Sequence, residues 1–287
     1  MARIAVLMAC HDRREHTLEC LRNVHRQALR PGDELDVWLV DDGSSDGTAD
    51  AVLRDFPHTR VFYGDGSLFW AGGMRKVFAA AMGEGYDFYL WLNDDTHLRD
   101  DCIVTLLETY EAEVRNGGKS PVVLGSCVDP DTGEISYGGW LLASQRFPVR
   151  SGRVPIAKTA QACDVGNGNC VLIPREVAES VGNIDPAFVH GLGDFDYTLR
   201  VRKAGFPLLV APGVAADCRP HGQLRRAHSL REIRQQWRDF LSVKQTPPAP
   251  WVVYTQRHAG PFWVVLFLYP YARFWLRACA QWLLRRR

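Results

Sequence analysis

Phe88-Tyr89-Leu90-Trp91-Leu92 is an apolar run of strand length, and it stops on Asn93-Asp94-Asp95. A run that is apolar at every position suits a strand covered on both faces, as in a parallel sheet between two layers of helices. In such a sheet ligands bind at the carboxyl ends of the strands. Two adjacent carboxylates there repel each other unless a cation or hydrogen-bond donors offset them. A hard divalent ion that also meets phosphate oxygens would do so. Asn-Asp-Asp is also good turn chemistry, so the choice between turn and site rests on the rest of the chain.

Strand and helix patterns alternate on either side of this run. Apolar strands are expected at residues 4–9, 35–40, 60–63 and 88–92, and helices at 15–27, 48–54 and 72–82. This predicts an α/β fold with a doubly wound, mainly parallel sheet flanked by helices and joined by right-handed crossovers. After about residue 118 the pattern loosens. Strands are expected at 122–128, 135–142, 165–173 and 207–210, with a helix at 195–204, as a mixed second half that completes the sheet. Thr246-Pro247-Pro248-Ala249-Pro250 reads as a linker. It divides a domain at 1–245 from a tail at 246–287.

The net charge is +1, unevenly spread. No acid follows Asp239, while Lys244, Arg257, Arg273, Arg277, Arg285, Arg286 and Arg287 do, so residues 240–287 carry +7 and residues 1–239 carry −6 by difference from +1. An acidic body argues against nucleic acid as a partner, and a basic aromatic tail suggests an anionic membrane surface. Past Pro270, Arg273, Arg277, Gln281 and Arg285 recur every four residues, with Tyr271, Trp275, Ala278 and Trp282 on the opposite face of a helix. Such an amphipathic helix fits a membrane interface. A contact with the body or a homodimer is the alternative. The uncharged stretch 260–272 is too short to span a bilayer, which takes about 20 apolar residues. The eight dispersed cysteines form no Cys-x-x-Cys pair and read as buried free thiols. The chain starts directly on a strand, so a cytoplasmic body is expected, peripheral on the inner face of the plasma membrane.

A second acidic turn, Asp41-Asp42-Gly43-Ser44-Ser45-Asp46-Gly47-Thr48, follows the second strand and precedes a helix. Carboxylates there can accept from a base N–H and from ribose hydroxyls, or the same residues can cap the helix. With a strand ending Asn-Asp-Asp some fifty residues later, the chain resembles a family-2 glycosyltransferase with the GT-A fold, of the bacterial rhamnosyltransferase-like kind. Leu68-Phe69-Trp70-Ala71-Gly72-Gly73-Met74 and Gly191-Leu192-Gly193-Asp194-Phe195-Asp196-Tyr197 carry the same resemblance, which covers roughly residues 3–222. It implies inverting transfer of a sugar from a nucleoside diphosphate sugar of the UDP, dTDP or GDP type.

By position, the resemblance assigns Asp41 and Asp42 to the donor nucleoside, with Ala9, Asp12 and Arg13 beside them. Asn93-Asp94-Asp95 falls on the family's Asp-x-Asp motif, with Asn93 in the first acidic place. Asn93 and Asp94 are donor contacts, and Asp95 is the ligand of Mg²⁺ or Mn²⁺, joined by His221. Gly72 and Gly73 would let backbone approach phosphate at a helix N-terminus, with Arg75 pairing to the diphosphate. Asp194 falls on the general base, while Gly193 replaces the family's preceding Glu. Trp70, Asn167, Gly168, Asn169, His190 and Asp196 are expected around the sugar or acceptor. The acceptor implied is a glycan or lipid-linked glycan in bacterial surface polysaccharide synthesis.

Two other classes stay open. A sugar nucleotidyltransferase would also use strand-end carboxylates and a metal, but it usually carries a Gly-rich loop after its first strand, where this chain has Cys10-His11-Asp12-Arg13-Arg14. A non-catalytic sugar-binding or scaffold protein on a transferase fold is the other. A nicotinamide dehydrogenase is disfavoured, because no Gly-x-Gly-x-x-Gly follows the first strand.

Overall fold

A computed structural model describes residues 1–144, 148–220 and 230–283. Its first seven elements alternate as expected: β1 (Arg3–Cys10), α1 (Arg14–His25), β2 (Glu34–Asp41), α2 (Thr48–Asp55), β3 (Arg60–Tyr63), α3 (Phe69–Met82) and β4 (Phe88–Leu92). There follow β5 (His97–Leu98), α4 (Cys102–Arg115), β6 (Val122–Leu124), β7 (Cys127–Val128), β8 (Ile135–Tyr137), β9 (Gly139–Leu142), β10 (Arg150–Arg153), β11 (Gln161–Ala162), β12 (Val165–Gly166) and β13 (Cys170–Pro174). The chain continues through α5 (Arg175–Val181), α6 (Gly193–Lys203), β14 (Leu208–Val210), β15 (Ala216–Asp217), α7 (Leu230–Phe240), α8 (Pro248–His258) and α9 (Trp263–Leu283).

The main sheet has eight strands in the order β11-β14-β6-β13-β4-β1-β2-β3. Strands β4, β1, β2 and β3 run parallel, and β13 enters antiparallel between β4 and β6. Its two faces are fixed by strand alternation. Ile4, Val6, Met8, Leu39, Leu90 and Leu92 point to one face, where Leu18, Leu21, Val52, Ile103 and Leu106 of α1, α2 and α4 cover them. Ala5, Leu7, Trp38, Val40, Tyr89 and Trp91 point to the other, beneath Met74, Phe78, Val177, Tyr197 and Val201 of α3, α5 and α6. The result is a mixed, Rossmann-like α/β fold.

Three strands expected from the sequence each divide in two, for one shared reason: the chain changes sheet at each break. β6 lies in the main sheet and β7 in a four-stranded one. β8 lies in that second sheet and β9 in a three-stranded one. β12 lies in the third sheet and β13 back in the first. Helix α4 is not foreseen, although Ile103, Leu106 and Leu107 repeat at helical spacing on its buried side.

The Pro-rich stretch read as a linker instead starts α8, with Pro248 in the first turn, where a missing N–H is harmless. Helix α8 docks on the body. Tyr254 joins the core under the sheet. Arg257 bonds Asp185 at 2.6 Å and Asp196 at 2.7 Å, and His258 Nε2 meets Asp196 Oδ1 at 2.9 Å. In turn α9 is tied to α8 by Trp251 Nε1 donating to Phe267 O. It also packs Tyr271 and Phe274 on Trp237 and Phe240 of α7. Seven cysteines are buried thiols, and Cys279 in α9 is exposed.

Asp196 is fully buried. Burial pushes its carboxyl up, but the bonds from His258, Arg200 and Arg257 outweigh this and hold it below the ordinary carboxylate range. Arg257→Ala should therefore cost roughly 3 kcal/mol, because it strips a cation from a buried charge. Thermal unfolding would report this as a melting temperature lower by about 6 °C. A melting temperature equal to wild type would mean that α8 is not anchored through this pair.

Candidate active site

The carboxyl ends of β1, β2 and β4 and the amino end of antiparallel β13 meet at one edge of the main sheet. There, with α6, they wall a cleft of about 460 Å³. Ala9, Arg13, Asp42, Trp70, Asn93, Asp94, Asn167, Gly168, Asn169, His190 and Asp194 all line it. Eleven residues expected around donor, sugar or acceptor from separate stretches of sequence are thus brought together.

On the strand-end wall, the Asp42 carboxylate accepts from Gly66 N–H at 2.9 Å and Phe69 N–H at 2.8 Å, fixing the loop that crosses the mouth. Arg13 bridges the acidic pair, with Nη1 3.1 Å from Asp94 Oδ1 and Nη2 2.9 Å from Asp95 Oδ2. The repulsion inferred from the sequence is thus met by a guanidinium. Trp70 Nε1 donates to Asn93 Oδ1 at 2.6 Å. A Cβ on Gly168 would lie 2.4 Å from the Trp70 ring, so only glycine leaves the indole its place.

Asp194 stands at the N-terminus of α6. Its Oδ2 accepts from Gly168 N–H at 3.0 Å and its Oδ1 from Phe195 N–H at 2.9 Å. Burial pushes its carboxyl above the usual range, while the two amides and the nearby Arg150 pull it partly back. A carboxylate in that state suits proton abstraction better than an ordinary one.

Several expected site residues have other duties. Asp41 turns from the cleft and clamps the loop into α2, accepting from Ser44 and Ala49 amides at 2.8 and 3.0 Å. Asp12 holds Ser45 through its amide and hydroxyl. Gly73 lets α3 sit against the sheet, since a Cβ there would lie 2.8 Å from Ala9 Cβ. Gly72 is buried in the same helix. The N-terminus of α3 is not open to phosphate: Phe69 N–H serves Asp42, and the amides of Ala71 and Gly72 serve Val189 O. Arg75 reaches Phe188 O at 3.3 Å, away from the cleft. Asp196 is sealed in the core by Arg200, Arg257 and His258. Asp95 lies beneath Arg13, off the cleft lining, with its side chain 9% exposed. His221 lies outside the described residues.

The cleft also holds residues that sequence reasoning missed: His11, Phe69, Tyr137, Leu192, Phe195 and Lys244. Three non-glycine residues adopt positive φ among those described, namely Asp12, Phe69 and Leu192. Two of them line the cleft and the third adjoins it. Such strain costs of order 1–2 kcal/mol apiece and gathers at functional sites.

No three metal-ligating side chains converge among the described residues. The donor set nevertheless fits a hard cation. One or two carboxylates plus phosphate oxygens are enough for Mg²⁺, and Asp94 and Asp95 already hold a positive group between them.

A family model described as glycosyl transferase family 2 matches residues 5–127. An uncharacterized protein of Mycobacterium tuberculosis is 28% identical over 145 residues, 50% of this chain and 50% of that one, so the match spans about half the relative's length. The N-acetylglucosaminyl-diphospho-decaprenol L-rhamnosyltransferase of the same organism is 22% identical over 282 residues, 88% of this chain and 80% of that one. The crystal structure of S. aureus TarS 1–349 in complex with UDP is similar in fold, with a TM-score of 0.56 at 12% identity over 88% of this chain and 70% of that one. Residues 5–127 thus match the family-2 glycosyltransferase model, and the chain has a family-2 glycosyltransferase-like fold.

Proposed function

We propose that this chain is an inverting glycosyltransferase that moves a sugar from a nucleoside diphosphate sugar to a glycan or lipid-linked acceptor. One observation carries the reading: Asp194 lines the same cleft as Asp42, Arg13 and Asp94. Asp42 would hold the nucleoside, and Arg13 the diphosphate. Asp94 and Asp95 would hold Mg²⁺ or Mn²⁺, which when bound would offset the charge of the departing nucleotide. Asp194 would take the proton of the acceptor hydroxyl as its oxygen attacks the anomeric carbon from the face opposite the leaving group. The names of the similar proteins support this choice of substrates: a rhamnosyltransferase named for a diphospho-decaprenol acceptor, and TarS in complex with UDP and UDP-GlcNAc.

Calorimetric titration with UDP, GDP and dTDP, each with and without Mn²⁺, should show metal-dependent binding of one of them. Binding of none would remove the donor reading. Asp194→Asn should keep nucleotide binding and lose transfer by about 100-fold or more. The base works only when deprotonated, and its carboxyl is raised. Wild-type transfer should therefore fall, as pH drops, at a pH above the ordinary aspartate value of about 3.9. Transfer by the Asn variant near the wild-type rate would put the base elsewhere.

Helix α9 is proposed to rest on an anionic membrane surface, with the chain peripheral to the inner face of the plasma membrane. No helix among the described residues is long and apolar enough to cross a membrane. Yet Val265, Leu268, Tyr269 and Leu276 are 67%, 52%, 54% and 71% exposed, beside exposed Arg273 and Arg277. Val265→Glu with Leu276→Glu should release the protein from phosphatidylglycerol vesicles in a flotation assay. Unchanged flotation would sink the membrane reading, and loss of a dimer in the variant would assign the face to a second copy.

A further inference from the structure

Two arginines stand beside the cleft without an acidic partner. In the β9–β10 hairpin Arg153 lies opposite Trp140 and Arg150 opposite Leu142. Their guanidinium carbons are 4.3 and 4.6 Å from the centroid of the Trp140 ring, and that of Arg150 is also 5.0 Å from the Phe195 ring. Stacking orients a guanidinium plane but leaves its N–H fork unspent. No ion pair forms at either arginine among the described residues, and the stretches 145–147, 221–229 and 284–287 contain no Asp or Glu. Nη1 of Arg153 is buried with no hydrogen-bond partner. Asp194 is close enough to feel Arg150 but forms no ion pair with it, and holding two cations on one indole without a direct ion pair is unfavourable. An anionic ligand would relieve it.

The hairpin also fixes where that ligand would lie. Trp140 Nε1 donates to Asn167 Oδ1 at 2.9 Å, and β9 pairs with β12, which leads into Asn167 and Gly168. Asn167 and Phe195 line the cleft, and Phe195 directly follows Asp194. The pair is therefore tied, through Trp140 and Phe195, to the part of the lining formed by Asn167, Gly168 and Asp194. A donor diphosphate would have its cation in Arg13, which is held on Asp94 and Asp95, so a second cationic pair held separately on Trp140 calls for a second anion. Two guanidiniums match the charge and the paired acceptor oxygens of phosphate.

We infer that Arg150 and Arg153, stacked on Trp140, form a subsite for a phosphate or diphosphate group of the acceptor. The inference rests on the transferase reading only for the word acceptor; the anion site stands on its own geometry.

The test titrates the full chain with farnesyl diphosphate and, separately, with inorganic pyrophosphate. Wild type is compared with Arg150→Gln, Arg153→Gln and Arg13→Gln. Farnesyl diphosphate should bind wild type and weaken by about tenfold or more in the Arg150 and Arg153 variants. Its binding should survive Arg13→Gln, and nucleotide affinity should be unchanged in the two hairpin variants. Arg150→Lys and Arg153→Lys, which keep the charge, should recover part of the affinity and guard against misfolding. Equal binding of pyrophosphate would mean that the subsite reads phosphate alone, and weaker pyrophosphate binding that it also reads a lipid. Failure of wild type to bind either probe, indifference to Arg150→Gln and Arg153→Gln, or loss of binding in Arg13→Gln alone would overturn the inference. Absence of nucleotide binding in wild type, with the probe still bound, would instead strike the donor reading and leave this one standing.

Discussion

Trp91 and Leu92 are both completely buried, on opposite faces of one strand. With helices over both faces, nothing polar can enter β4 until the strand leaves the sheet, where Asn93, Asp94 and Asp95 follow at once. In β2 the buried run Val37–Val40 likewise gives way to Asp41, its last residue, and Asp42. Parallel strands exit on one side, so the polar residues excluded from the core gather along one edge. The acidic cleft follows from burying the strands on both faces, and the antiparallel β13 adds its amino end to the same edge.

Three acidic pairs reach this edge, and local geometry divides two of them. Asp41 and Asp42 are neighbours at a strand end and point apart. One clamps the loop into α2 and the other faces the cleft. Asp194 and Asp196 are two residues apart on a helix, hence about 200° apart around its axis. Asp194 therefore faces the cleft and Asp196 the core. Asp94 and Asp95 are joined under one guanidinium. Only one member of each of the first two pairs is free to work on a substrate. The other holds the first in place.

That division sets what could be read from sequence. Asp194 is marked only by the family resemblance, whereas the strands at 60–63 and 88–92 follow from apolar runs, and Asp42 and Asp94 follow two such runs that end on acids. Such patterns are local, and the chain states them directly. Which of two adjacent aspartates turns inward depends on contacts far away in sequence, such as Arg257 with Asp196 across 61 residues. Gly73 and Arg75 look like phosphate binders because a Gly-rich helix start often is one. Here Val189 O already takes two of its amides, and no local signal marks that carbonyl. The change of sheet within 122–128, 135–142 and 165–173 is invisible for a similar reason, since an apolar strand reads alike in either sheet.

The C-terminal segment is the place where a local reading misleads most. Its prolines and positive charge suggest a detachable tail, but α8 supplies two of the three side chains that hold Asp196, which lies one helical half-turn from Asp194. Lys244, just before α8, reaches the cleft itself. Any force on α9 is passed through Trp251 to α8 and from there to α6. Helix α9, with its exposed apolar side chains, and helix α6, which carries Asp194, are therefore mechanically joined, so a contact made by the first can bear on the position of the second.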